Sequence, residues 1–96
     1  LIGVRFPVGP PSNYMPYFVY VIGSYHKTKL ITYVGYTNSL VKRLKLHNDG
    51  KGAKFTRGRI WKILYSEKYS SKSKAISREY YIKKNRKIRN LIKEFY

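Results

Sequence analysis

The sequence has no cysteine, only two histidines and only four acidic residues among its 96 positions. Without cysteine the chain can form no disulfides, thiolate zinc or iron–sulfur sites, and it has no thiol nucleophile. His26 and His47 are too few for a multi-histidine metal site. The longest apolar or aromatic run, at 17–22, is far shorter than the about 20 residues that span a membrane. No signal-peptide pattern opens the chain, so we expect a cytoplasmic protein with no membrane partner.

Basic residues are as abundant as acidic ones are scarce. The chain has 21 Lys and Arg residues, and its formal net charge is +17. Most of these cations follow Val41, so the second half of the chain should form the charged surface. A composition of 43% hydrophobic and 17% aromatic residues favours one small globular domain over a disordered basic tail. The charge predicts a polyanionic partner, whereas no protein partner can be deduced.

The first 14 residues differ from the rest of the chain. They contain three of the four prolines and show no hydrophobic period. We expect an extension or a segment of non-native origin at 1–14, followed by a single domain at 15–96.

The pattern of apolar residues predicts three strands and three helices. Strands are expected at 17–22, 30–36 and 60–67, because these runs are rich in β-branched and aromatic residues. A hairpin turn centred between His26 and Lys27 would place Tyr20 opposite Tyr33. Asn38 is the predicted N-cap of a helix that runs to about His47, with Leu40, Val41 and Leu44 on one face. Further helices are expected at 71–84 and 87–95, and an aperiodic loop at 48–59.

Glu79 is the acidic residue whose position is hardest to attribute to a solvated surface. At about 100° per residue, the predicted second helix places Glu79 in the middle of an inner arc formed by Ala75, Ile76, Tyr80 and Ile82. A carboxylate in that position is costly unless a cation, a proton or a metal neutralises it. A structural salt bridge and a metal site are therefore both open. The other three acids are predicted to lie apart, so a cluster of carboxylates holding two metals is not expected.

Four further side chains could carry chemistry, although each also has a structural explanation. Tyr20 and Tyr33 could be packing residues of the sheet, or they could together hold a water or a phosphate oxygen. Arg43 could be a solvated helix cation or could stabilise an anionic transition state. His47 could be structural, or it could transfer protons. These residue types leave the identity of the general base open.

The loop after the first helix has the composition of a phosphate-binding segment. It combines three glycines with four cations and one aromatic residue, namely Lys51, Lys54, Phe55, Arg57 and Arg59. Such a loop could be mobile and solvated. It could equally bind nucleic acid, with Lys and Arg on phosphates and Phe55 stacked on an unpaired base.

Taken together, these segments resemble the GIY-YIG nuclease superfamily. The resemblance rests on the order and spacing of Phe18-Val19-Tyr20, Tyr33-Val34-Gly35-Tyr36-Thr37-Asn38, Arg43-Leu44 with His47-Asn48, and Arg78-Glu79. It extends from Met15 to about Ile92 and is similar to the small single-domain prokaryotic branch. That branch is also similar to the catalytic domain of the eukaryotic structure-specific junction nuclease. Phe18 departs from the pattern, because it replaces the glycine of the first motif.

The resemblance implies an α+β fold, an α/β sandwich in which helices flank a small three-stranded antiparallel sheet. It implies one divalent ion, Mg²⁺ or Mn²⁺, with Glu79 as its protein ligand. It also assigns the positioning of water or phosphate to Tyr20 and Tyr33, charge stabilisation to Arg43 and proton handling to His47.

The sequence therefore predicts a metal-dependent endonuclease that hydrolyses DNA phosphodiester bonds. Selectivity for DNA structure, with a role in repair or recombination, follows only from the family resemblance. RNA is not excluded as a substrate. The alternative is a non-catalytic basic nucleic-acid-binding module, for which the net charge is equally suitable.

Overall fold

The computed structural model describes residues 15–95, so the predicted extension at 1–14 and the last residue lie outside the described residues. The elements, in chain order, are β1 (Tyr17–His26), β2 (Lys29–Thr37), α1 (Leu40–Asn48), a 3₁₀ turn (Lys54–Thr56), β3 (Lys62–Tyr69), α2 (Lys72–Lys84) and α3 (Arg86–Lys93). The predicted α+β architecture, a three-stranded antiparallel sheet with flanking helices, is confirmed.

Strand β1 is the central strand, and the sheet order is β2-β1-β3 with both pairings antiparallel. Its middle residues, 19–22, are almost completely buried. Because successive side chains of a strand point to opposite faces, this apolar run contributes to two separate clusters. A strand with both faces covered reads as a continuous apolar run, as the sequence predicted.

The β1–β2 hairpin turns one residue later than predicted. Lys27 adopts the left-handed conformation, with φ of 59°, and His26 pairs with Lys29 across a two-residue turn. Tight two-residue hairpin turns need such a conformation, which Asn and Gly usually supply. Because neither residue occurs at 27 or 28, no residue type marks the position of this turn in the sequence.

The later turn changes the pairing that was predicted for the two tyrosines. Tyr20 pairs with Gly35, and Tyr33 pairs with Ile22, so the prediction that Tyr20 faces Tyr33 is wrong by two positions. A shift of two residues keeps every side chain on its original face of the sheet. Tyr20 and Tyr33 are therefore diagonal neighbours on one face.

Two hydrophobic clusters lie on opposite faces of the sheet. Helices α2 and α3 cover the first cluster, whose buried members are Val19, Val21, Val34, Leu64, Ala75, Ile82 and Ile92. The second cluster contains Tyr20, Ile22 and Trp61, with Leu40 and Leu44 of α1 packed against it. The sheet is thus the middle layer of a sandwich, with α1 on one side and the other helices opposite.

Helix α1 has a different N-cap and a different buried face from those predicted. The hydroxyl of Ser39, rather than Asn38, accepts a hydrogen bond from the backbone N–H of Lys42. The buried face follows Leu40, Leu44 and His47, while Val41 is 80% exposed. Positions 40, 44 and 47 repeat at helical spacing, so the polar His47 defines the inner face together with the two leucines.

Among residues 15–95, no helix has the length and apolar character needed to cross a membrane.

Candidate active site

Residues of β1, β2, α1 and α2 line an open cleft of about 360 Å³. Its walls are formed by Tyr17, Tyr20, Tyr33, Gly35, Tyr36, Thr37, Asn38, Arg43, Lys72 and Glu79. Four of the five predicted catalytic residues therefore lie in one cleft, although they come from four different elements. The fifth, His47, lies behind the tyrosines and contacts both of them.

Gly35 allows the Tyr20 ring to lie across strand β2. A Cβ atom at position 35 would lie 2.4 Å from the Tyr20 hydroxyl oxygen, a distance that real side chains do not tolerate. The Tyr20 phenol can therefore occupy this position in the cleft only because residue 35 has no side chain. Burial raises the pKa of Tyr20 above its ordinary value, although the charge of Arg43 opposes this rise. Tyr20 is consequently a neutral phenol at physiological pH.

His47 is buried in the last turn of α1, with 1% of its surface exposed. Its Nε2 lies 2.9 Å from the Tyr20 hydroxyl, and its ring contacts the Tyr33 ring edge-on at 5.3 Å. Burial and, to a lesser extent, the charge of Arg43 lower the pKa of His47. The imidazole is therefore neutral near pH 7 and can accept a proton.

Glu79 forms a salt bridge, as one of the two predicted alternatives required, but the bridge is a weak one and leaves the carboxylate available to a metal ion. Its side chain is 16% exposed, and Oε2 lies 3.2 Å from Nζ of Lys83, one turn further along α2. Among residues 15–95, Lys83 is the one salt-bridge partner that Glu79 has. The inner arc of α2 is narrower than predicted, because Ala75 and Ile82 are buried while Ile76 and Tyr80 are 40% and 62% exposed.

Glu67 shows what a structurally satisfied carboxylate looks like in this protein. It accepts two hydrogen bonds from the guanidinium of Arg78, at 2.8 and 2.9 Å, and further hydrogen bonds from the hydroxyls of Tyr65 and Tyr69. Although burial opposes the change, these donors together lower the pKa of Glu67. This network joins β3 to α2 next to Glu79. Glu67 has four donors, whereas Glu79 has one half-exposed lysine.

Arg43 projects from α1 into the cleft and is partly buried. Within residues 15–95 it forms no salt bridge, although its charge influences the pKa values of Tyr20 and His47. A guanidinium without a carboxylate partner is available to an anion that enters the cleft.

The basic loop lies beside the cleft and is more ordered than predicted, because Lys54–Thr56 forms a 3₁₀ turn. Phe55 is 51% exposed and stacks on Tyr33, with ring centroids 6.2 Å apart. The guanidinium of Arg59 lies 5.4 Å from the centre of the Phe55 ring. Lys51, Lys54 and Arg57 are exposed to solvent. Of the predicted nucleic-acid-binding residues, Phe55 thus contacts Tyr33 and Arg59 contacts Phe55, while the three other cations are exposed on the same loop.

Sequence reasoning missed several residues of this site. Lys72 lines the cleft, Lys83 holds Glu79 and contacts the Tyr33 ring, and the buried Thr56 contacts His47. Lys83 could have been found from its spacing, because it follows Glu79 by four residues on a helix. Nothing in the sequence pattern points to Thr56, since its contact depends on how the loop folds back.

Among residues 15–95, no group of three or more His, Cys, Asp or Glu side chains is placed to hold a metal ion. The cleft lining combines the Glu79 carboxylate with the hydroxyls of four tyrosines and Thr37, the amide of Asn38 and the cations Arg43 and Lys72. A hard cation such as Mg²⁺ is usually bound through one or two carboxylates and keeps several of its own waters, to which neutral hydroxyls can hydrogen-bond. The donor set therefore fits one divalent ion bound by a single carboxylate.

Comparisons with known proteins agree with this arrangement. The model of the GIY-YIG catalytic domain matches residues 16–91. A UPF0213 protein of Bacillus licheniformis is 58% identical over 53 residues, which cover 54% of this chain and 55% of the relative. UPF0213 protein YazA of Bacillus subtilis is 53% identical over 53 residues, which cover 54% of each chain.

A longer match is found to a UPF0213 protein of Streptococcus agalactiae, with 44% identity over 66 residues that cover 68% of this chain and 72% of the relative. In the first two comparisons, the match spans about half the length of the relatives. No solved structure matches the chain. Because the family model covers most of the sequence and the cleft brings the motif residues together, the chain belongs to the GIY-YIG catalytic domain family.

Proposed function

We propose that this protein is a divalent-metal-dependent endonuclease that hydrolyses DNA phosphodiester bonds in the cleft lined by β1, β2, α1 and α2. The observation that carries the proposal is the environment of Glu79. A pair of this spacing on a helix surface stabilises by only about 0.3–0.5 kcal/mol, and Lys83 is 45% exposed, so the link to Lys83 does not explain a carboxylate that is only 16% exposed. A binding module would gain nothing from a negative charge facing the phosphates of its ligand.

Glu79 would hold the ion, Mg²⁺ or Mn²⁺, with waters and substrate oxygens as the other ligands. When bound, such an ion acts as a Lewis acid that stabilises negative charge on the phosphoryl oxygens. The ion would compete with Lys83 for the carboxylate. This competition is feasible because Lys83 is 45% exposed and its ammonium group can move into solvent.

In this proposal, Tyr20 and His47 together remove a proton from the attacking water. As the water oxygen bonds to phosphorus and one bridging oxygen leaves, the water proton passes to the Tyr20 oxygen and the phenolic proton passes to Nε2 of His47. The 2.9 Å contact supports this transfer. Because burial disfavours a free phenolate, passing the proton on to His47 avoids forming one. Tyr33 packs on His47 and helps to position its ring.

Arg43 offsets the negative charge that develops on the phosphoryl oxygens in the transition state. Its guanidinium lines the same cleft as Tyr20 and Glu79 and has no salt-bridge partner within residues 15–95. A fixed cation at the point where charge develops is among the strongest contributions that a site can make.

The basic loop supplies the DNA-binding surface in this proposal. Lys51, Lys54, Arg57 and Arg59 would neutralise phosphates, and the exposed face of Phe55 would stack on an unpaired base. Unpaired bases occur at flaps and at branch points, which agrees with the family-derived expectation of structure-selective cleavage in repair or recombination.

The proposal is tested by incubating the purified protein with supercoiled plasmid, branched DNA and an RNA of matched sequence. We expect cleavage of DNA in the presence of Mg²⁺ or Mn²⁺ and none in EDTA. Cleavage confined to the RNA would assign the same site to another substrate. Tight DNA binding without cleavage under any metal condition would instead support the non-catalytic module.

A second expected result concerns the basic loop. Replacing Lys54 and Arg57 together with Ala should weaken DNA binding to a similar extent for unrelated sequences, because both residues contact phosphates rather than bases. The logarithm of the binding constant should fall linearly with the logarithm of salt concentration, and each lost phosphate contact should reduce the slope by about 0.9. Fluorescence anisotropy at several salt concentrations measures both quantities.

The matched control replaces Lys27 and Lys29 with Ala. These cations lie at the β1–β2 turn, outside the residues that line the cleft. The control should leave the salt slope nearly unchanged. An equal loss in both double variants would mean that binding reflects only the overall charge, and an effect confined to one sequence would indicate base recognition.

A further inference from the structure

Thr56 is a fully buried threonine on the side of His47 that faces away from the cleft. Its exposed surface is 0%, and its Oγ1 lies 2.9 Å from Nδ1 of His47. The same hydroxyl donates a hydrogen bond to the backbone carbonyl of Ala53, at 2.8 Å. The carbonyl of Thr56 in turn accepts a hydrogen bond from the indole N–H of Trp61, at 2.9 Å. The hydroxyl and the carbonyl of Thr56 therefore both hold the residue in place behind the imidazole.

The direction of these hydrogen bonds determines where the proton of His47 lies. A threonine hydroxyl has one proton, and the carbonyl of Ala53 can only accept it. With that proton on the Ala53 carbonyl, the hydroxyl oxygen of Thr56 accepts from Nδ1, which then carries the proton of the neutral ring. Nε2 is left as the acceptor, so the Tyr20 hydroxyl donates to it. The phenolic proton points at His47, and the lone pairs of the Tyr20 oxygen are left to accept from a water in the cleft.

The loop is shaped to bring Thr56 to this position. A Cβ atom at Gly52 would lie 2.4 Å from Nδ1 of His47, so the chain can pass beside the ring only because residue 52 has no side chain. The turn that follows exposes Lys54 and Phe55 while it buries Thr56. One short turn thus carries residues of the proposed DNA-binding surface and the partner of His47.

We propose that Thr56 is a positioning residue that holds His47 in the Nδ1–H tautomer and thereby makes Nε2 the acceptor of the Tyr20 proton. Its role in cleavage rests on the proposed nuclease function, whereas its role in setting the tautomer does not. Thr56 touches neither the substrate nor the water in this account. It acts through His47, as the orienting partner of a catalytic histidine does.

The test compares Thr56→Val, which removes the hydroxyl at similar volume, with Thr56→Ser, which retains it. Long-range ¹H–¹⁵N spectra of the free protein, without DNA or metal, report which ring nitrogen carries the proton. We expect Nδ1–H in the wild type and in Thr56→Ser. In Thr56→Val the proton should move toward Nε2, because Nδ1 loses its acceptor while the Tyr20 oxygen can still accept. Thr28→Val, in the β1–β2 turn, is the control and should keep the wild-type spectrum.

Kinetics provide the second readout. Thr56→Val should lower kcat by about 10- to 100-fold with little change in KM, and Thr56→Ser should restore most of it. An Nε2–H tautomer in the wild type, or an unchanged tautomer in folded Thr56→Val, would overturn the proposal. So would an altered tautomer with undiminished kcat. If the wild type cleaves nothing, the nuclease function fails, while the spectra still decide the tautomer.

If Thr56→Val does not fold, Gly52→Ala offers a second test. A methyl group at position 52 would push against His47 Nδ1 without removing any hydrogen-bonding group of the loop. We expect this variant to disturb the His47–Thr56 hydrogen bond and to shift the same ring signals. Unshifted His47 signals in folded Gly52→Ala would contradict the close packing on which the proposal depends.

Discussion

Glu79→Gln should abolish cleavage at any practical Mg²⁺ concentration while DNA binding is retained or strengthened. The substitution keeps the shape of the side chain and removes the charge that a divalent ion requires. Loss of one negative charge from a cationic cleft also favours the approach of phosphates. A plasmid-nicking assay over a range of metal concentrations measures the first effect, and anisotropy with labelled DNA measures the second.

Stability separates this result from a structural role of Glu79. Breaking a fully buried salt bridge costs about 3–5 kcal/mol. The partner Lys83 is 45% exposed, so we expect a loss well below 1 kcal/mol and a fall in Tm of only a few degrees. Glu94→Gln, at the exposed end of α3, is the matched control and should cleave normally. Undiminished metal-dependent cleavage by Glu79→Gln would show that Glu79 is not the metal ligand.

Arg43→Ala should lower the cleavage rate by about 10²–10³-fold with little change in DNA affinity, because the guanidinium acts mainly on the charge of the transition state. Arg43→Lys should recover little, since an ammonium group does not reproduce a planar fork of donors. Single-turnover rates and equilibrium binding measured on the same DNA separate the two quantities.

The pH dependence gives this variant a second signature. The charge of Arg43 contributes to the lowered pKa of His47, so its removal should raise that pKa toward the ordinary value of 6.5. His47 accepts a proton only when it is neutral, and activity should therefore begin to fall at a higher pH in Arg43→Ala than in the wild type. Arg86→Ala, at the exposed start of α3, is the control. If affinity falls as much as rate, Arg43 is only another phosphate contact.

The central strand, the position of Glu79 and the family of the chain could all be predicted from the sequence. The apolar run of β1 identified a central strand, because a strand covered on both faces tolerates no polar position. Glu79 could be singled out from helical spacing alone, since few positions on an inner arc accept a carboxylate. The family of the chain followed from the order of motifs that the cleft brings together.

The register of the hairpin, the buried face of α1 and the contact between Thr56 and His47 could not be predicted from the sequence pattern. The hairpin turn uses a left-handed Lys27, which composition does not favour, and this shifted the predicted pairing of Tyr20. Val41 fits an apolar face but is exposed, because the polar His47 takes the inner position. The contact between Thr56 and His47 depends on the path of a loop with no hydrophobic period, which only the folded chain reveals.

The most direct test of the central claim is to locate a divalent ion by anomalous diffraction from crystals of the wild-type protein grown with Mn²⁺. The account predicts an anomalous peak beside the Glu79 carboxylate in the cleft, with Lys83 displaced from it. A peak at another position with the Glu79–Lys83 contact intact, or no peak at a Mn²⁺ concentration that supports cleavage in solution, would contradict the account.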